Sequence, residues 1–197
     1  GVPRMSPALL SQRLKELECA GIVAREEGGT DYRLTEAGRE LEPVVEAFGI
    51  WGQRWVAYEL SLQHLDAQLL MWDMRRHLDP TPLPPRRNVI QFRFPEQPEP
   101  RRRYWLVVDP QSGVDLCSID PGHEVDLFVS SDLRTMTAIW MGYETVRDAL
   151  DRETLLLTGA PGIAAQMQRW LGLSPFARHA RQDRLAALQI GQPDGNL

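Results

Sequence analysis

Residues 6–35 read SPALLSQRLKELECAGIVAREEGGTDYRLT, and within this stretch a helical period gives way to two short extended runs. Ser6 is a favoured N-cap, and Pro7 falls at the first helical position, where its missing N–H is not needed. Leu10, Leu14 and Leu17 recur at spacings of four and three, so one stripe of the helix is expected to face a core. Ala8, Ser11, Gln12 and Lys15 then point away from it. Gly21 is placed to stop the helix. Ile22–Glu26 and Tyr32–Thr35 read as two strands joined across Gly28 and Gly29, residues that accept the backbone of a tight hairpin.

A helix followed by such a hairpin has the form of the recognition helix and wing of a winged helix-turn-helix. The residues also carry a family resemblance. MSPALLSQRLKELECAGIVAR followed by YRLTEAGREL resembles the HxlR-type branch of the winged-helix regulators related to MarR, over roughly residues 1–58. The order Ser6-Pro7, Leu10, Arg13-Leu14, Leu17, Gly21 and the turn Leu34-Thr35-Glu36-x-Gly38 match in register. The resemblance implies double-stranded DNA as partner and a homodimer that reads two half-sites. It also implies that helices preceding the equivalent of Gly1 complete the domain. The expected DNA-facing set is Ser6, Ala8, Ser11, Gln12, Arg13, Lys15, Arg25 and Arg33. Ser11 and Gln12 suit base edges, and the four cations suit phosphates.

The charge balance is unusual for such a partner. The chain carries a formal charge of −5, whereas phosphate contacts need local Lys and Arg. Within residues 1–35, Arg4, Arg13, Lys15, Arg25 and Arg33 are matched by Glu16, Glu18, Glu26, Glu27 and Asp31. Direction, rather than net charge, must therefore make the face. Hydrophobic content of 43% and charged content of 25% fit a globular protein. No apolar run approaches the roughly 20 residues that span a bilayer, and there is no export leader, so no membrane partner and a cytoplasmic location are expected. Cys19 and Cys117 fall in different halves, which argues against a disulfide framework.

Beyond the wing, Thr35 is placed to cap a helix opening with Glu36, and Pro43 should kink it. Leu41, Val44, Phe48, Trp51, Trp55, Tyr58, Leu62, Leu65, Leu69 and Trp72 then follow a 3-4 spacing. That is a heptad seam. Gly49, Gly52 and Ser61 weaken one continuous helix, so two helices meeting near residues 59–62 are expected. The first would be the dimerisation helix, unless its aromatics pack within the chain; the second would run over about residues 62–78. DPTPLPPRR at 79–87 has four prolines in nine residues and must be a connector. Strands are expected at 88–94, 104–109, 114–119 and 125–130 as an antiparallel meander at first, helices at 133–141 and 144–150, a strand at 154–158 and a helix at 162–171. The fold class is α+β: the winged helix part, then one mostly antiparallel sheet covered by helices. The boundaries read 1–60, 61–175 and an Arg-rich tail at 176–197, its extreme end disordered.

The run PGHEVDLFVSSDLRTMTAIWMGYETVRDALDRETLLLTGAPGIAAQMQRWLGL resembles a sterol-carrier-protein-type domain, the likeness covering about residues 62–173. It implies an apolar tunnel between sheet and helices for an apolar small molecule or lipid. Its wall is expected from Phe92, Trp105, Leu116, Phe128, Met136, Trp140, Met167 and Trp170, with Tyr143 and Arg147 as the nearest polar anchors. Side chains this large equally suit a closed core.

Catalytic and metal signatures do not emerge. His64, His77, His123 and His179 lack ligand spacing, and the cysteines form no CxxC pair. Gly159-Ala-Pro-Gly162 lacks the Gly-Lys-Ser/Thr of a phosphate loop, and no Gly-x-Ser-x-Gly elbow occurs. No metal, cofactor or catalytic residue is assigned. Two functions follow: a ligand-responsive transcription regulator that is not an enzyme, or a lipid carrier or enzyme built on the second half, with the first half as a dimerisation module.

Overall fold

The computed structural model describes residues 5–26, 29, 31–55 and 65–178, and the chain falls into two compact units, residues 1–55 and 56–197. In the first, α1 (Pro7–Cys19) starts where Ser6 caps it, the Ser6 Oγ accepting the Leu9 N–H at 3.2 Å. It ends at Ala20, and Gly21 takes the left-handed φ of +71° that reverses the chain. Strands β1 (Val23–Arg25) and β2 (Tyr32–Leu34) pair antiparallel, Val23 opposite Leu34.

Helix α2 (Glu36–Glu40) shows why Leu34-Thr35-Glu36-x-Gly38 is a unit. The Thr35 hydroxyl accepts the Gly38 N–H at 3.1 Å and itself reaches the Gly21 carbonyl at 2.5 Å. One side chain thus caps α2 and fastens the wing to the end of α1. Gly38 is buried against Ile22, just before β1, and Leu34 of β2, and a Cβ there would run into the Ile22 carbonyl. Helix α3 (Glu42–Trp55) is separate rather than a kinked continuation. Pro43 has no N–H for the Arg39 carbonyl, so one helix stops at Glu40 and the next starts at Glu42. The expected helix junction at residues 59–62 lies outside the described residues.

The first described helix of the second unit is α4 (Ala67–His77), capped by Asp66, whose carboxylate accepts the Leu69 N–H at 3.0 Å. Strands β3 (Asn88–Arg93), β4 (Arg103–Asp109), β5 (Gly113–Cys117), β6 (Leu127–Ser131) and β7 (Leu155–Gly159) form one sheet in the order β5-β4-β3-β6-β7. Three of its four pairings are antiparallel. The meander stops at β5: β6 crosses over to lie parallel to β3, Ile90 opposite Leu127. Asp126 fixes that crossing, since its carboxylate accepts the Val89 N–H at 2.8 Å and its own N–H donates to the Val89 carbonyl at 2.9 Å.

Helices α5 (Leu133–Trp140), α6 (Val146–Asp151), α7 (Pro161–Ala165) and α8 (Met167–Trp170) are the other described helices of the unit. Asp132 caps α5, and Thr145 with Asp148 forms a capping box on α6. The single helix expected at 162–171 is two. The Ile163 carbonyl accepts the Gln166 N–H at 3.2 Å and the buried Trp170 indole N–H at 2.8 Å, so the run breaks at Gln166. Ile90, Phe92, Tyr104, Leu106, Leu127, Val129 and Leu155 face Leu70, Met71 and Met74 of α4, Met136 and Ile139 of α5, and Met167 and Trp170 of α8 in one core. Each such buried side chain contributes about 1.5–3 kcal/mol. The tail beyond residue 178, including its expected disorder, lies outside the described residues.

Candidate functional site

In the first unit α1 buries no residue, and its expected core stripe is also open, with Leu10 38% and Leu17 41% exposed. Ala8, Ser11, Gln12 and Lys15 are exposed along one face, and Ser6 stands at its start. Sequence reasoning missed Glu16 on this face. Its carboxylate accepts from the Arg13 guanidinium at 2.6 Å and from the Gln12 amide at 3.1 Å. Hydrogen bonds from Arg13 and then Gln12 hold that carboxyl below its usual range. The signal was in the spacing, for Glu16 lies three residues beyond Arg13 and four beyond Gln12. Two of the groups expected to meet DNA are therefore engaged with a neighbouring carboxylate. The wing cations differ: Arg25 donates from Nε to the Gly29 carbonyl at 3.0 Å and braces the turn, while Arg33 lies 3.9 Å from Glu26.

Helix α3 presents a second surface. Val44, Phe48, Trp51 and Trp55 recur at spacings of four, three and four, and Phe48, Trp51 and Trp55 are 72%, 54% and 74% exposed. The Phe48 and Trp51 rings already touch, centroids 5.9 Å apart. Such a contiguous exposed apolar stripe marks an interaction surface.

In the second unit, Phe92, Met136, Met167 and Trp170 are fully buried, and Phe92 meets the Trp170 ring edge-on at 6.5 Å. At that level the space between sheet and helices is filled. Leu116 packs half-buried on the same face. Trp105 and Phe128 do not join them, which corrects their expected position: they flank Gln91 on the opposite face of the sheet. Strand alternation dictates this, because Tyr104 and Leu106 on either side of Trp105 face the helices. The apolar run Tyr104–Val108 hid the alternation. Tyr143 is buried against Ala138, and Arg147 is exposed on α6.

Open volume lies beside Trp140. A cleft of about 180 Å³ is lined by Leu65, Asp66, Leu69 and Asp73 at α4 and by Thr137, Trp140 and Met141 at α5. Sequence reasoning placed Leu65 and Leu69 in a heptad seam rather than at a cleft, because spacing alone does not say what a stripe faces. Trp140 also meets the His77 ring, centroids 5.6 Å apart, and His77 lines a second hollow of about 410 Å³ bounded by Gly142, Gly172–Pro175 and Ala177. At the far end of the sheet, two ion pairs tie the proline connector down: Arg86 to Asp126 at 2.7 Å and Arg87 to Asp109 at 3.0 Å. Burial raises the Asp126 carboxyl, but hydrogen bonds from Arg86 and the Val89 N–H outweigh it, and the net direction is down. Asp109 is lowered too, by the Gln111 N–H first and then Arg87.

No cluster of metal-ligating side chains occurs among the described residues, where Cys19 and Cys117 are free thiols. No described helix is long and apolar enough to cross a membrane.

Residues 1–60 match the family model described as HxlR-like helix-turn-helix. An uncharacterized HTH-type transcriptional regulator, YvaP, of Bacillus subtilis (strain 168) is 35% identical over 60 residues, which are 28% of this chain and 56% of that protein. The chain thus spans about half the length of the curated relative it matches. Among solved structures, sterol carrier protein 2 like 2 from Aedes aegypti aligns over 51% of this chain and 92% of its own, with 23% identity and a TM-score of 0.38. Sterol carrier protein 2 from Yarrowia lipolytica, in its apo form, aligns over 62% and 83%, with 11% identity and a TM-score of 0.34.

Proposed function

We propose that this protein is a ligand-responsive, DNA-binding transcription regulator that works as a homodimer in the cytoplasm and is not an enzyme. The carrying observation is the unburied polar face of α1 beside a wing locked to it by Thr35. On this reading Ser11, and Gln12 once DNA displaces Glu16, meet base edges, while Lys15, Arg33, Arg13 on release from Glu16 and the outer nitrogens of Arg25 meet phosphates. The family match over residues 1–60 supports it. The exposed stripe Val44, Phe48, Trp51 and Trp55 supplies the dimer surface, and two-fold symmetry then sets the half-site spacing.

The effector is an apolar or lipid-like small molecule held in the second unit. At about 180 Å³ the cleft beside Trp140 is smaller than the roughly 300–1,000 Å³ of typical ligand sites, so binding separates α4 from α5. Met136 and Met167 behind it are deformable side chains suited to that change. In this arrangement Phe92, Leu116, Met136, Met167 and Trp170 form the deep wall, and Tyr143 and Arg147 are the polar anchors at the rim.

The test is a titration of the full chain with a sterol, fatty-acid and aromatic panel. Melting temperature, tryptophan fluorescence and DNA release are followed together. A member of the panel is expected to shift all three in the wild type and none in Trp140→Ala. If no compound moves any of these signals, the effector half of the proposal fails.

A second reading, a lipid carrier or enzyme with the first unit as a dimerisation module, is favoured by the pairing of Arg13 and Gln12 to Glu16. It requires transfer of lipid between vesicles, or turnover of an apolar substrate, indifferent to DNA.

A further inference from the structure

The chain is net acidic, and its described arginines are commonly paired, as Arg13, Arg75, Arg86 and Arg87 are with Glu16, Asp115, Asp126 and Asp109. On the face of the sheet away from the helices this habit fails. Arg93 of β3 stands directly opposite Arg103 of β4. Like charges opposite one another on adjacent strands are destabilising unless something balances them. Arg103 has Glu99 at 3.1 Å, half-exposed. Arg93 has no acidic partner among the described residues; its other neighbour in register is Ser130 of β6, a hydroxyl.

The third cation is already fixed in place. The Arg102 Nε donates to the Gln97 carbonyl at 3.0 Å, which anchors the guanidinium through that one nitrogen. Gln91, Arg93, Glu99, Arg102 and Arg103 together line a concavity of about 330 Å³. Two residues along β4 from Arg103, and so on the same face, lies Trp105, 4% exposed, whose indole N–H is buried without an acceptor among the described residues. Opposite it is Gln91. Among the described residues the patch is rich in donors and holds one carboxylate, an imbalance that an oxyanion corrects.

We propose that this concavity binds a phosphomonoester group. Three arginines against one glutamate leave a local excess of two positive charges, which matches the −1.5 to −2 of such a group at about pH 7. Two arginines in opposed register, Arg93 and Arg103, supply the forked N–H donors that phosphate oxygens accept bidentately. The same chemistry occurs in a free phosphorylated small molecule and in the headgroup of phosphatidic acid. The site lies across the sheet from Trp140 and is independent of the effector cleft.

The experiment uses the full chain at fixed ionic strength, with inorganic phosphate followed by calorimetry and phosphatidylcholine vesicles doped with phosphatidic acid followed by co-sedimentation. Chloride and acetate are the controls. Phosphate is expected to bind saturably where the controls do not, and Arg93→Gln and Arg103→Gln each to weaken binding about tenfold, the loss of one charge-assisted bond. Glu99→Gln, which frees Arg103 and removes the competing carboxylate, is expected to tighten it several-fold. All three are surface substitutions, and melting curves no lower than the wild type's confirm the fold, relief of the opposed charges tending to raise them in the arginine variants. Binding of inorganic phosphate alone identifies a free phosphorylated ligand, and binding of vesicles alone a lipid headgroup. The proposal is overturned if neither probe exceeds chloride, if Arg93→Gln binds as the wild type does, or if Glu99→Gln weakens binding.

Discussion

Gly38→Ala sets two effects of known size against each other at the joint between wing and recognition helix. Gly38 lies inside α2, where replacing glycine by alanine gains about 1 kcal/mol of helix propensity. Against this, the new methyl enters the van der Waals envelope of the Ile22 carbonyl oxygen and comes within 3.2 Å of Ile22 C and Leu34 Cδ2. The oxygen belongs to backbone, where Ile22 also accepts the Thr35 N–H at 3.1 Å and cannot swing aside. Overpacking costs typically about 1–3 kcal/mol, and more when the obstacle is backbone. With a backbone obstacle placing the cost toward the upper end of that range, the clash wins, with a net loss of up to about 2 kcal/mol. The assay is limited proteolysis at the wing, with DNA affinity on the same samples. Faster cleavage and weaker DNA binding are expected. A variant more resistant than wild type would show that propensity dominates and that α2 does not press on Ile22 as described.

Glu16→Gln removes the carboxylate that engages Arg13 and Gln12. It should raise DNA affinity several-fold at low salt, an advantage that shrinks as salt rises; an unchanged or weaker affinity would show that the pair does not compete with DNA. Trp51→Ser with Trp55→Ser should convert the proposed dimer to monomer by ultracentrifugation without unfolding the second unit, because these rings are exposed in the single chain. Asp109 and Asp126 have carboxyls lowered from 3.8, so the stability they contribute is present above that value and is lost as the pH falls through their lowered ones. Melting of the second unit should be flat from about pH 7 to about pH 5 and fall below about pH 4. Asp126→Ala should cost about 1–3 kcal/mol at neutral pH and flatten that fall.

The local punctuation of this chain was legible because each signal acts within a few residues. Ser6-Pro7, Thr35, Asp132 and Gly21 end or begin elements through hydrogen bonds and φ values that do not depend on distant contacts. The crossing of β6 to β3 was not legible, since it rests on Asp126 meeting Val89 across 37 positions. Trp105 and Phe128 were misplaced for a related reason: where both faces of a strand are apolar, periodicity no longer tells the faces apart. The opposed pair Arg93 and Arg103 was equally invisible, because register alone brings them together.

The central claim is that α1 and its wing read DNA sequence. It is tested most directly by selection of bound duplexes from a randomised pool by the full chain near physiological salt, followed by affinity measurement on the winner and on a scrambled duplex. Enrichment of a pseudo-palindrome with half-site centres about 10–10.5 base pairs apart, bound at least about 10³-fold tighter than the scrambled duplex, is the predicted result. A pool that shows no enriched motif, or equal affinity for both duplexes, would contradict it.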